Sequence, residues 1–172
     1  MIDWSAANPE TVKEIVREAE AYLGAQVTLA TSADQRAAVM ASVFTAAGAA
    51  IIAGLITVGH ADANIAIYLG GGIAATLFLF GAILCVWATM PVGFSLPGSQ
   101  PASWEEDIKA NTNLNISLGQ QAGNYQTKIA DNHSTLGRNA RKFKSGAIAG
   151  IAAPVMGFVV WLAVSLCPVT FS

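Results

Sequence analysis

Two pairs of histidine and aspartate are the residues whose types and spacing could hold a metal ion. His60 and Asp62 lie two residues apart, and so do Asp131 and His133. A zinc site needs three or four ligands, and two ligands without a third are ordinarily solvated side chains. We therefore predict no metal site. An enzymatic role would require Asp131, His133 or His60 to be essential.

No catalytic set accompanies these pairs. We find no combination of nucleophile, base and orienting group, and the glycines at 70–72 lie within an apolar run rather than in a phosphate-binding loop after a strand. Cys85 and Cys167 also lie within apolar runs, where a thiol behaves as a small hydrophobic group. The sequence predicts a protein that is not an enzyme, with no catalytic residues and no cofactor.

The composition indicates a protein embedded in a membrane. Of its 172 residues, 53% are hydrophobic and only 12% are charged, whereas a soluble domain has about 25% charged residues. Three uncharged windows, 37–58, 65–90 and 146–168, each exceed the roughly 20 residues that cross a bilayer. We predict an all-α integral membrane protein with three transmembrane helices, an N-terminal cytoplasmic helix and a central cytoplasmic helical segment.

The basic residues predict the orientation of these spans. All nine lysines and arginines lie before the first span or between the second and third, and such residues are retained on the cytoplasmic side. Segments 1–36 and 91–145 are thus predicted to be cytoplasmic and the tail 169–172 external. A net charge of −2 argues against a nucleic-acid partner.

Basic residues at the membrane boundary are expected to contact anionic lipid headgroups. Binding of an anionic ligand by the same cluster is the alternative. The residues concerned are Arg36, Arg138, Arg141, Lys142 and Lys144.

Both cytoplasmic segments carry helical patterns. Asn8, Pro9 and Glu10 are typical of a helix start. The central segment has a stripe with alternating spacings of three and four residues, into which asparagines are set. Because a buried asparagine fixes the register of a coiled coil, we predict self-association through Asn111, Asn115, Leu118, Tyr125, Ile129, Asn132 and Leu136.

The alternative interpretation is that Asn111, Asn113 and Asn115 are solvated or mark a helix break. The run NTNLNIS contains poor helix formers, and Gly119 and Gly123 follow it. We expect the central segment to be broken near 111–123.

Small residues four apart recur in every predicted span, which is typical of close helix packing in lipid. This packing could occur within one chain or between several copies, and Gly150→Leu is expected to separate tight assembly of copies from simple anchoring. Pro154 is expected to kink the third span. The small-residue faces consist of Ala46, Ala50, Gly54, Gly70, Ala74, Gly146, Gly150, Ala153 and Gly157.

The layout over residues 10–168 resembles the small transmembrane effectors of bacterial nucleotide-signalled antiphage systems. The resemblance is carried by Asp34, Arg36 and Ala37 before the first span and by QQAGNYQTKIADNHSTLGRNARKFKSG before the third. It is similar in particular to the Pycsar transmembrane effector family and, more distantly, to SLATT-type membrane domains. Unlike those effectors, this chain is expected to have no separate sensor domain. The resemblance implies a role in antiviral defence through damage to the inner membrane.

Two functions follow as hypotheses. The first is an oligomeric, pore-forming effector that permeabilises or perturbs the bacterial inner membrane when a cytoplasmic protein or a nucleotide signal triggers its cytoplasmic helices. Spans without charges can line a pore only as several copies, so a homo-oligomer within membrane lipids is expected. The second is a non-catalytic membrane anchor or adaptor subunit that docks a cytoplasmic partner.

Overall fold

A computed structural model describes residues 3–59 and 64–166, and all regular structure within these ranges is helical. Helices α1, α2 and α4 each contain a window long and apolar enough to cross a membrane. The predicted all-helical chain with three candidate spans is confirmed. The elements are a 3-10 helix at Trp4–Ala6, α1 at Pro9–Gly59, α2 at Ile65–Ala88, a 3-10 helix at Pro101–Trp104, α3 at Glu105–Lys109 and α4 at Leu114–Leu166.

Helices α1 and α4 are much longer than a bilayer requires. They contain 51 and 53 residues, which corresponds to about 75–80 Å at 1.5 Å per residue, against a hydrocarbon core of about 30 Å. The predicted span boundaries at 37 and 146 therefore lie inside continuous helices. The predicted helix start is confirmed, because α1 begins at Pro9 and the Glu10 amide donates to Asn8 Oδ1 at 2.9 Å.

The chain forms two compact units. The polar unit consists of Met1–Ser32 and Val92–Gly137, and the apolar unit consists of Ala33–Pro91 and Arg138–Ser172. Helices α1 and α4 contribute one part to each unit.

In the polar unit, the first part of α1 packs an apolar stripe into a small core. Val12, Leu23 and Tyr125 are fully buried. Gln26 lies on the same stripe, and its Nε2 donates to the carbonyl of Ile129 at 3.2 Å. The core is thus held by apolar contacts and by a side-chain amide that bonds to backbone.

A break in the central helical segment lies between α3 and α4, at residues 110–113. Asn111 adopts a φ of 52°, a left-handed conformation that asparagine tolerates better than most residues. Asn113 then caps α4, since its Oδ1 accepts from the Asn115 amide at 2.9 Å. Gly119 and Gly123 lie inside α4, so the break occupies only the first residues of the segment 111–123.

The apolar unit has a core of mostly small side chains. Phe44 and Phe78 provide the aromatic contact, with ring centroids 5.9 Å apart. The buried cluster contains Ala41, Phe44, Ala82 and Cys85, with Met40, Phe78 and Phe143 packed against it.

Candidate functional site in the packing faces and a polar cavity

Glycines bring α2 and α4 of the apolar unit into close backbone contact at two levels. A Cβ on Gly70 would lie 2.7 Å from the carbonyl oxygen of Gly157, and a Cβ on Gly146 would lie 2.8 Å from that of Gly81. Real Cβ atoms do not approach this closely, so only glycine permits the observed distance. Of these four glycines, Gly81 was not among the predicted residues, although Ala74, Gly81 and Ala88 share a seven-residue spacing.

Gly150 leaves space for an aromatic ring to pack against the backbone of α4. A Cβ built on Gly150 would overlap the ring of Phe44, which is itself only 4% exposed. Ala74 and Ala153, on the same predicted faces, are also buried. The small residues predicted on α2 and α4 therefore pack within one chain.

The first span presents a different face to its own chain from the one we predicted. Its buried residues are Ala37, Ala41, Phe44 and Gly48, because the Phe44 ring packs against Gly150. Ala46, Ala50 and Gly54 lie on the other side of α1 and are exposed, and a Cβ on Gly54 would meet no atom within 4 Å. This face remains exposed within the described chain.

Hydroxyl groups in the spans bond to their own helix. Thr45 donates to the carbonyl of Ala41 at 2.8 Å, and Thr57 donates to that of Ala53 at 3.0 Å. A hydroxyl paired in this way carries no unsatisfied donor into lipid. These side chains are compatible with lipid, with water or with a second helix.

In the polar unit, the buried asparagines of the predicted stripe bind backbone rather than matching amides. Asn132 is 1% exposed; its Oδ1 accepts from the Ser95 amide and its Nδ2 donates to the Ser95 carbonyl, both at 2.9 Å. Asn115 Nδ2 donates to the carbonyl of Ala7 at 3.1 Å. The stripe is thus used to hold the chain's own loop and N-terminal segment.

The remaining members of that stripe also lie against their own chain, apart from Asn111. Leu118, Ile129 and Leu136 are half-buried, whereas Asn111 is exposed in the helix break. Gly119 lies next to this stripe, and a Cβ there would overlap the indole of Trp4. The need for glycine at this position comes from the packing of Trp4, not from a bend.

Tyr125 links α1 and α4 within the polar unit through hydrogen bonds. Its hydroxyl donates to Glu20 Oε1 at 2.5 Å and accepts from Gln121 Nε2 at 2.7 Å. Burial and the bond to the Glu20 carboxylate raise the pKa of Tyr125 above its usual value. The neutral phenol is therefore favoured in the folded state.

We expect the stabilising effect of Tyr125 to be lost in alkaline solution. The folded-state pKa is raised, so the unfolded state releases this proton first, and the contribution is full below pH of about 10 and disappears as pH rises through the folded pKa. The measurement is the difference in free energy of unfolding between wild type and Tyr125→Phe at pH 8 and pH 11. This difference should shrink at pH 11, and an unchanged difference would contradict the assignment.

The polar unit also contains a cavity of about 1020 Å³ between the loop that follows α2 and one face of α4. The loop is held in place by Asn132 and by Trp104, whose Nε1 donates to Ser99 Oγ at 3.0 Å. Lys128 reaches the loop from α4, with Nζ 3.5 Å from the Gly98 carbonyl and 5.3 Å from the Tyr125 ring centroid. No sequence pattern pointed to this cavity, because the loop has no periodicity.

The predicted lipid-contact residues lie inside α1 and α4, where each helix enters the apolar unit. Lys142 Nζ lies 5.4 Å from the centroid of the Trp87 ring, a pairing of cation and aromatic residue that suits a membrane boundary. Arg36, Arg138, Arg141 and Lys144 are exposed.

The remaining predicted positions make no site within the described chain. Asp131 and His133 are exposed on α4, and the described residues contain no group of three potential metal ligands. Pro154 lies exposed in the interior of α4. Four other positions discussed from the sequence lie outside the described residues, namely His60, Asp62, Cys167 and the tail 169–172.

Packing faces and a cavity are thus the features that the described residues offer for function. Comparisons with protein-family models, with curated proteins and with solved structures find no match to this chain.

Proposed function

We propose that this chain is a membrane effector that assembles into a homo-oligomer through the exposed small-residue face of α1 and perturbs the membrane when its polar unit is triggered. We further propose that the membrane is a bacterial inner membrane and that the role is antiphage defence, as the resemblance to nucleotide-signalled effectors implies. The observation that carries the proposal is the composition of that face. We name it the open face, and it consists of Ser42, Ala46, Ala49, Ala50, Ala53, Gly54 and Thr57, all of them exposed.

The exposed side of the first span combines the open face with the bulkier Val39, Val43, Ile52 and Ile56, whereas the exposed faces of the other two long apolar helices are mostly bulky. Helix α2 exposes Phe80 and Ile83, and α4 exposes Ile151 and Phe158. Bulky side chains of this kind suit lipid contact, whereas small residues let helix backbones approach closely and are enriched where helices meet. A second copy of α1 is therefore the expected neighbour of the open face.

Assembly supplies what a single copy lacks for permeabilisation. The predicted spans contain no charged residue. A water-filled pore could therefore be lined only by hydroxyl groups and backbone atoms from several copies. Ser42 and Thr57 on the open face offer such hydroxyls. The polar unit, which is built from parts of the same α1 and α4, is the place where a trigger would act.

The particle mass in nanodiscs tests the assembly step. Wild type is expected to form a discrete assembly of several copies, and Ala46→Leu/Ala50→Leu is expected to shift it to the monomer, because the larger side chains keep the helices apart. The matched control is Ala163→Leu, an exposed alanine of α4, which should retain the wild-type mass. Equal masses for all three proteins would overturn the proposal.

Dye release from loaded vesicles tests the second step. At high protein density, which favours assembly by mass action, wild type and Ala163→Leu should release dye and the double variant should not. Assembly without release would support the adaptor hypothesis instead. One observation favours that alternative: Ile15, Tyr22 and Leu29 are exposed at seven-residue spacing on α1, a pattern that fits a partner helix.

A further inference from the structure

The cavity of the polar unit has a mostly apolar lining with a single charged residue. Its lining comes from residues 95–103 and from the α4 side chains of Gln121, Asn124, Thr127 and Lys128. Lys128 is the one charged residue among them, and no aspartate or glutamate of the described chain lines the cavity.

Lys128 is also unusual among the basic residues of the polar unit. Of the four lysines and arginines in that unit, three are in ion pairs: Lys13 with Glu10, Arg17 with Glu14, and Lys109 with Glu105. Lys128 forms no ion pair with any described residue and has only the long contact to the Gly98 carbonyl and the ring of Tyr125. Lys128 is half-buried as a residue, and its ammonium group retains donors directed at no anion of the described chain.

A second donor lies one turn away on the same face of α4. Asn124 precedes Lys128 by four residues, a spacing that places both side chains on one side of a helix, and both line the cavity. No hydrogen bond joins the exposed Asn124 amide to another described residue, whereas the neighbouring Gln121 amide is occupied by Tyr125. An amide and an ammonium group four residues apart provide complementary donors for anionic oxygens.

We propose that this cavity binds a small molecule through a phosphate or carboxylate group, with Lys128 as the charged donor and Asn124 as the neutral one. The loop 95–103 closes one side of the site and is fixed to α4 through Asn132. The site consists only of residues of the polar unit and the open face only of residues of the apolar unit, so binding and self-assembly can succeed or fail independently.

The experiment is a titration of the full chain in dodecyl maltoside, a detergent without phosphorus. The protein is labelled with ¹⁵N-asparagine, and the side-chain amide of Asn124, identified by its loss in Asn124→Ser, is followed while inorganic phosphate or acetate is added. We expect a saturable shift of the Asn124 signal. The Asn132 amide, which is bonded to Ser95, should move little.

Three variants make the result specific. Lys128→Gln should weaken binding about 10- to 100-fold, as expected for loss of a charged hydrogen bond. Lys128→Arg should retain most of the affinity, and Lys109→Gln should bind like wild type because Lys109 lies in the same unit but is paired with Glu105. Unaltered binding by Lys128→Gln would overturn the assignment.

Phosphatidylglycerol, added to the micelles in a separate titration, distinguishes the source of the anion. A shift with phosphate or acetate supports a soluble ligand, and a shift with the lipid alone supports a headgroup as the ligand. If none of the three probes shifts the Asn124 signal, the cavity is not an anion site, whatever the particle mass of the protein.

Discussion

Gly150→Leu is expected to destabilise the apolar unit by about 3 kcal/mol, at the upper end of the usual cost of overpacking. The leucine side chain would occupy the position of the Phe44 ring, which lies directly on Gly150. Either Phe44 leaves its buried site or α1 moves away from α4. The measurement is the free energy of unfolding in mixed micelles of dodecyl sulfate and dodecyl maltoside, followed by circular dichroism.

Two further variants separate this contact from general effects. Leucine is a better helix former than glycine by about 1 kcal/mol, so Gly72→Leu serves as the matched control, since a Cβ on Gly72 would meet no atom within 4 Å. Phe44→Ala should suppress part of the Gly150→Leu loss by vacating the space. If Gly150→Leu unfolds no more readily than Gly72→Leu, the proposed contact between the Phe44 ring and Gly150 is wrong.

The contact between Gly150 and Phe44 also changes which property a Gly150 variant measures. From the sequence we expected Gly150→Leu to distinguish assembly from anchoring. In the structure Gly150 is buried against Phe44 of the same chain, so its replacement first disturbs the monomer. Substitutions at Ala46 and Ala50 report on assembly, because these side chains are exposed in the monomer.

The spans and the start of α1 could be predicted because their causes are local. Hydrophobic length determines whether a segment can cross a bilayer, and the cap at Asn8 depends on neighbouring residues. The inward face of α1 could not be predicted in this way. Its orientation depends on one long-range contact, in which the Phe44 ring fills the space that Gly150 leaves, and small residues occur on several sides of this helix.

The asparagine stripe shows the same limit in the polar unit. Its spacing indicated that Asn115 and Asn132 would be buried, and both are. The spacing could not identify their partners, because a carboxamide pairs equally well with another amide or with a backbone group. Here the partners are Ala7 and Ser95, in segments without periodicity. The cavity was missed for the same reason, since its loop has no periodicity and is joined to α4 by long-range bonds between Ser95 and Asn132.

Asn132→Leu is expected to release the loop 92–100 from α4 and to destabilise the polar unit by about 2–6 kcal/mol, since two backbone groups lose their partners at about 1–3 kcal/mol each. Leucine has a similar size, so the core volume is nearly retained while both bonds to Ser95 are lost. The measurement is hydrogen exchange of the loop amides by mass spectrometry, together with the unfolding free energy.

The control for Asn132→Leu is the same substitution at Asn124, which is exposed on the same helix and makes no hydrogen bond to the described residues. Asn124→Leu should leave exchange in the loop close to wild type. Asn132→Asp should give an intermediate effect, because one carboxylate oxygen can still accept from the Ser95 amide while the bond to the Ser95 carbonyl is lost. Equal protection of the loop in Asn132→Leu and in wild type would mean that the loop is held by its other contacts. Because the loop forms one wall of the cavity, its release by Asn132→Leu should also weaken anion binding, even though Asn132 is not among the residues that line the site.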